Sequence, residues 1–201
     1  LAGSKTNLSD TLAIQEKQTT ALQSSLELAQ QNLELAEIEK EQSLNILETK
    51  KNDLYTNAKN ALTGIMIIDT NVASYIDEVF EITAENRWKN DIYERFLGAK
   101  DIVFYNETKT KANSIYNNFT AFEKLYNTSI KDSQPSEQEI NIALDEALRL
   151  NNTLKSFLSD TYKVFENSVA NDPYFKESDI SNFKTKTSNF WVQIETALLS
   201  A

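Results

Sequence analysis

Apolar residues in the first third of the chain return at alternating steps of three and four positions, which is the spacing of one helix face. The first part of this stripe comprises Leu8, Leu12, Leu22, Leu26, Ala29, Leu33 and Ala36. After a shift by one position it continues through Leu44, Leu47, Leu54, Ala58, Ala61, Ile65 and Ile68. Such a shift is typical of a stutter, which relaxes supercoiling locally. The pattern predicts one coiled-coil helix over residues 5–60, roughly 80 Å long at 1.5 Å per residue.

Four positions of this stripe are polar, namely Gln15, Thr19, Lys40 and Lys51. Polar residues at core positions of coiled coils select register and oligomeric state. These four either specify a partner or mark a weak coiled coil, and the sequence leaves both interpretations open. The helix cannot bury its apolar stripe alone. We therefore expect residues 5–60 to pair with a copy of the chain or with partner helices.

The rest of the chain shows the same helical spacing. Residues 72–97 have one continuous apolar face, and Gly98 after Arg95 is a good stop signal for that helix. Residues 99–131 are helical in their second half. Gly64 or residues 69–71 are candidates for a break between the long helix and this region.

Two further helices follow a loop at residues 131–135. Ser136 and Glu139 have the spacing of a capping box, and an apolar stripe that includes Asn151 runs from Ile140 to Phe165. Pro173 predicts an end for this helix near Asn171, because a residue before proline resists helical geometry. Ser178 or Asp179 begins the last helix.

The distribution of aromatic residues along the chain predicts two regions that pack in different ways. All 20 Phe, Tyr and Trp residues lie from Tyr55 onward. Seams between paired helices favour small aliphatic residues, whereas a globular bundle has interior volume for rings. We therefore predict an all-α protein with a coiled-coil arm at residues 1–60 and a helical bundle at residues 61–201. Short links between long helices favour an up-down antiparallel four-helix bundle.

Composition agrees with an all-α fold and argues against nucleic-acid binding and against a transmembrane helix. The 201 residues include three Gly and two Pro, too few for a structure rich in tight turns. The net charge of -10 repels phosphate backbones, so we do not expect nucleic-acid binding. No apolar run approaches the 18 or so residues of a transmembrane helix.

Reactive side chains are scarce. The chain has no His and no Cys, which removes the commonest general base, the commonest metal ligand and thiolate chemistry. Ser181 and Lys184 match a short nucleophile pattern by chance, because its partner motifs are missing. Clusters such as Asp77, Glu78 and Glu81 are typical of solvated helix faces. We expect no enzyme activity, no catalytic residues, no cofactor and no metal site.

Two other features are candidates for binding. The apolar run Gly64–Ile68 could enter a membrane or contact a partner, although buried bundle residues have the same pattern. An aromatic group could line a ligand pocket, although aromatic residues at helical spacing are commonly core. Its members are Trp88, Tyr93, Phe104, Tyr105 and Trp191.

Three hypotheses of function follow. The first is a structural or interaction protein of a bacterial envelope or surface, outside the cytoplasm. The aromatic-free arm and the lack of reactive residues favour the structural role, and the excess of Lys over Arg, the abundant Asn and Ile and the lack of Cys favour a bacterial, exported protein. The second is an extracytoplasmic four-helix-bundle sensor that binds a small ligand between helices. The third is a subunit of an α-helical pore-forming toxin with residues 61–80 as its membrane element.

Overall fold

The structure is a computed structural model that describes residues 2–87, 93–131 and 134–200, with side chains from residue 7 to residue 199 within these ranges. The described residues form four α-helices and no strand. These are α1 (Ala2–Phe80), α2 (Ile102–Tyr126), α3 (Glu137–Glu166) and α4 (Glu177–Ser200). A 3-10 helix covers Glu94–Phe96 and a π-helical turn covers Asn127–Lys131. The predicted all-α fold is confirmed.

The chain divides into two compact units at a point within α1. The first unit is Leu1–Asp53 and the second is Leu54–Ala201. The first unit, which we call the arm, consists of the N-terminal part of α1. The second unit, which we call the bundle, contains the rest of α1 together with α2, α3 and α4.

Side-chain contacts define the helix directions in the bundle. Tyr126 near the end of α2 donates to Thr63 of α1 at 2.9 Å, and Tyr105 near the start of α2 stacks on Phe80 at the end of α1. Helices α1 and α2 are therefore antiparallel. Lys111 of α2 pairs with Asp160 of α3 at 3.0 Å, near the end of α3.

The remaining pair of helices closes the bundle in the same manner. Lys184 near the start of α4 lies 3.8 Å from Glu166 at the end of α3, while Lys155 pairs with Glu195 further along α4. Each helix therefore reverses the direction of the one before it, as predicted for an up-down bundle. Rings fill the interior, with Phe165 stacked on Phe183 at 5.0 Å between centroids.

The first bundle helix ends earlier than predicted. Helix α1 stops at Phe80, where the sequence predicted a helix as far as residue 97. Asp77 is the physical reason, because its carboxylate accepts hydrogen bonds from the backbone and hydroxyl of Thr83 and from Asn86, each at 2.7 Å. These bonds hold the chain in a reversal after Glu81, which has a positive φ of 55°.

The structure also tests the predicted helix breaks and the predicted stop signal in this region. The proposed breaks at Gly64 and residues 69–71 are wrong, since α1 passes through both. Gly98 has the left-handed φ of 58° expected of a stop signal, but it follows the three-residue helix Glu94–Phe96. Trp88 and Ile92, which belong to the predicted helical face, lie outside the described residues.

Helix α3 begins as predicted and ends sooner. Ser136 and Glu139 form the capping box at its start. Its last residue is Glu166 rather than Asn171, because the following backbone bonds to the segment after Glu94. Lys100 donates to the carbonyl of Asn167 at 2.8 Å, and Val169 donates to the carbonyl of Phe96 at 3.0 Å.

Candidate interaction surface

The arm presents many exposed aliphatic side chains along its length. Every described side chain from residue 7 to residue 53 is exposed, including twelve Leu and Ile residues. Leu22 is 72% exposed and Leu33 is 62% exposed. Monomeric proteins rarely expose contiguous apolar patches larger than a few hundred Å², and larger ones mark interaction sites. The arm is therefore the leading candidate for a functional surface.

The four polar residues of the arm stripe also lie on this surface. Gln15, Thr19, Lys40 and Lys51 are all exposed. The hydroxyl of Thr19 donates to the backbone carbonyl of Gln15 at 2.8 Å, one turn earlier in the same helix. This bond satisfies the hydroxyl locally, so Thr19 can face a neighbouring helix without an unpaired donor.

The apolar run Gly64–Ile68 is mostly core. Ile65 and Met66 are 4% and 7% exposed, and Ile68 is half-buried. Ile67 is 60% exposed and is the one strongly exposed large apolar residue of the run. The burial of Ile65 and Met66 favours the interpretation of this run as a bundle helix over that of a membrane element.

The aromatic candidates do not form one pocket in the part of the chain that the structure describes. Tyr93 stacks on Phe175, with ring centroids 5.1 Å apart. Tyr105 is buried against Phe80, and Phe104 is half-buried beside the core. Trp191 lies on α4, and the ammonium nitrogen of Lys155 lies 5.0 Å from the centroid of the Trp191 ring. Trp88 lies outside the described residues.

Within the described parts of the chain, open grooves lie beside Trp191 and beside Tyr93. One, of about 370 Å³, lies between α3 and α4 and is lined by Tyr162, Trp191 and Val192 among others. The other, of about 420 Å³, is lined by Tyr93, Tyr174 and Asp179 among others. Both volumes are within the range of small-molecule sites. Burial raises the pKa of Tyr93, and the carboxylates of Glu78, Glu81 and Asp179 raise it further.

Lys184 and Asp77, two of the polar residues that the sequence offered as chemical candidates, have structural partners. Lys184 pairs with Glu166 and lies 4.8 Å from the ring of Tyr162. Asp77 of the acidic cluster closes the end of α1, as described above. No group of three or more acidic residues able to hold a metal ion exists within the described parts of the chain.

One buried polar pair was not predicted as a site. Asp69 of α1 and Asn151 of α3 are 0% and 1% exposed. Burial raises the pKa of Asp69 to about 7, although the hydrogen bond from Asn151 opposes this shift. The sequence signal is Asn151 itself, a polar residue within an apolar stripe, whereas the sequence marks Asp69 only as part of a candidate helix break.

The fold and surface together define a class, an all-α helical bundle whose first helix extends into an arm with an exposed aliphatic surface. In comparisons with known proteins, no family model, no curated protein and no solved structure matches the chain. Within the described residues, no helix combines the length and apolar composition that crossing a bilayer requires.

Proposed function

We propose that this protein is a non-enzymatic structural or interaction protein that acts through helix–helix association along residues 5–60. The observation that supports this most is the set of twelve exposed Leu and Ile residues within residues 7–53. Fully burying one such side chain contributes about 1.5–3 kcal/mol. A partner that covers several of them therefore gains enough free energy for stable association, even after the cost of lost translational freedom.

Composition supports the non-enzymatic part of the proposal. The full chain has no imidazole and no thiol. These are the groups whose pKa values lie closest to neutrality and which most often carry proton transfer or nucleophilic attack. We place the protein at a bacterial envelope or surface on the basis of its Lys-rich, Cys-free composition, and cell fractionation with an antibody against the bundle tests this location.

Light scattering and far-ultraviolet dichroism test the association. We expect residues 1–201 to form a helical multimer and residues 54–201, the whole bundle unit, to be monomeric. Replacing Leu26 with Asn should lower the mass of the full-length particle, because Leu26 lies in the apolar stripe. Gln31→Asn is the matched control, since it places the same residue on the polar side of the helix. Monomers of both lengths with an unfolded arm would contradict the proposal.

A sensor that binds a small ligand is the second candidate. The groove lined by Tyr93, Tyr174 and Asp179 supports it, because it combines rings, a carboxylate and a volume of about 420 Å³. Screening a fragment library by ligand-observed NMR tests this candidate. We expect bound fragments to be lost in Tyr174→Ala, and a screen without any such fragment would remove the candidate.

A further inference from the structure

The arm has a second apolar row in addition to its main stripe. We call Leu8, Leu12, Leu22, Leu26, Ala29, Leu33 and Ala36 row one. Row two recurs every seven residues and comprises Ile14, Ala21, Leu28 and Leu35. Ile14, Leu28 and Leu35 are 57%, 59% and 57% exposed. At 3.6 residues per turn, row two lies about 130° around the helix from the centre of row one.

Charge is distributed on the opposite side of the helix. Glu27, Glu34, Glu41 and Glu48 also recur every seven residues, and all four are exposed. This glutamate row lies on the wide arc between the two apolar rows, at roughly 100–130° from each. Because like charges within an interface cost several kcal/mol, this side is suited to face water.

The narrow arc between the two apolar rows is uncharged along most of its length. It comprises Thr11, Gln18, Ser25 and Asn32. Identical chains that pack side by side bring identical charges together, so a charged strip at this position would oppose self-association. The uncharged strip and the outward glutamate row make a second copy of this chain a fitting partner for both apolar rows.

Row one does not have the composition of a two-stranded coiled coil. Its steps of four and three assign Leu12, Thr19, Leu26 and Leu33 to heptad position a. Parallel two-stranded coils favour Ile or Val at that position, and none is present there. A two-stranded coil would also leave row two uncovered.

We propose that the arm assembles with further copies of itself, row one of one arm packing against row two of the next. This deepens the proposed function and rests on it. The contact is heterologous, because it joins two different surfaces, and heterologous contacts generate rings when the rotation closes. Each arm then contacts two neighbours in a parallel assembly of three or more copies. The wide angle between the rows favours a ring with an inner strip of Thr, Gln, Ser and Asn and an outer row of glutamates.

Sedimentation velocity of the full chain over a range of concentrations tests this assembly. The wild-type particle should have at least three times the 22.9 kDa mass of one chain. Leu28→Asn, in row two, should lower that mass at least as strongly as Leu26→Asn in row one. Gln31→Asn, which lies in neither row, should leave it unchanged. Near-ultraviolet dichroism, which arises from the aromatic residues of the bundle, should show that all three variants retain the bundle fold.

Three outcomes would overturn the proposal and differ in what they mean for the proposed function. A dimer that Leu28→Asn leaves intact would show that row two is not an interface, while association through row one would stand. A monomer whose arm is helical would remove self-association and leave a different partner for the arm. A monomer whose arm is unfolded would remove both.

Discussion

Asn151 donates a hydrogen bond from Nδ2 to Oδ2 of Asp69 across 3.2 Å, which joins α3 to α1 inside the bundle. Oδ1 of Asp69 and the amide oxygen Oδ1 of Asn151 are both buried and have no hydrogen-bond partner among the described atoms. A proton on Asp69 would convert one of these two acceptors into a donor. The raised pKa of about 7 agrees with this arrangement, because the buried site favours the neutral carboxyl.

The first prediction concerns the pH dependence of stability. In the folded protein the pKa of Asp69 is raised from 3.8 to about 7. The stability that the protonated Asp69 contributes is therefore fully present below pH 3.8 and is lost as the pH rises to about 7. Within that window the loss is about 1.4 kcal/mol per pH unit. Asp69→Asn mimics the neutral carboxyl and should raise the free energy of unfolding at pH 8 by roughly 2–4 kcal/mol.

Urea unfolding of wild type and Asp69→Asn at pH 4 and pH 8 measures this difference. Other carboxylates affect both proteins alike, so the comparison isolates Asp69. A difference between the two proteins that is the same at both pH values would contradict the assignment of the proton to Asp69.

The second prediction concerns the end of α1. Asp77→Ala removes the acceptor of three hydrogen bonds, from the backbone and hydroxyl of Thr83 and from Asn86. It leaves a partly buried backbone donor without its partner, so we expect a loss of about 2–3 kcal/mol. Limited proteolysis should cut faster within residues 81–87.

Glu78→Gln is the control for that prediction. Glu78 is adjacent to Asp77, and it forms a partly exposed ion pair with Lys186 at 3.2 Å. Such pairs contribute about 0–1 kcal/mol. Equal effects of the two substitutions would show that the bonds of Asp77 do not hold the reversal.

The third prediction compares two glycines. A Cβ at Gly98 would lie 2.7 Å from Cβ of Tyr105, and Gly98 has a φ of 58°. Gly98→Ala should therefore destabilise the bundle by more than about 1 kcal/mol. Gly64 lies within α1, and apart from its own turn of helix no described atom lies within 4 Å of the place that an alanine methyl group would take. Gly64→Ala should therefore stabilise the protein by about 0.5–1 kcal/mol. Thermal unfolding of both variants gives the two signs, and the same sign for both would contradict this account.

The fourth prediction concerns the start of α3. Ser136 accepts from the backbone of Glu139 at 3.3 Å, and the carboxylate of Glu139 accepts from the backbone of Ser136 at 2.8 Å. Ser136→Ala removes one half of this capping box and should cost about 1 kcal/mol. Ser136→Asp keeps an N-cap acceptor and should restore most of the loss. A lack of rescue by Asp would mean that the loss has a cause other than capping.

The features that the sequence predicted are those encoded within a few neighbouring residues. Helical spacing identified the apolar stripes, and Ser136 with Glu139 identified a helix start because a capping box involves one turn of chain. The exposed aliphatic surface of the arm follows from the same spacing. Gly98 was recognised as a left-handed position because glycine favours that conformation.

The features that sequence reasoning missed depend on contacts between distant parts of the chain or on which partner a polar side chain binds. The end of α3 at Glu166 depends on Phe96 and Lys100, which are about seventy residues away along the sequence. The end of α1 depends on whether Asp77 faces solvent or turns to Thr83, and both occur for acidic residues near helix ends. The sequence alone does not show whether Asp69 is exposed or buried. Its burial becomes clear only when α3 is packed against α1, which brings Asn151 next to it.

The restriction of all aromatic residues to positions from Tyr55 onward has a practical consequence for spectroscopy. Intrinsic fluorescence and near-ultraviolet dichroism report on the bundle and are silent for the arm, whereas far-ultraviolet dichroism counts the helical residues of both. A denaturation followed by both signals therefore separates the melting of the two units without any added label. Coincident midpoints would mean that arm and bundle unfold as one cooperative system, and separate midpoints would give each unit its own stability.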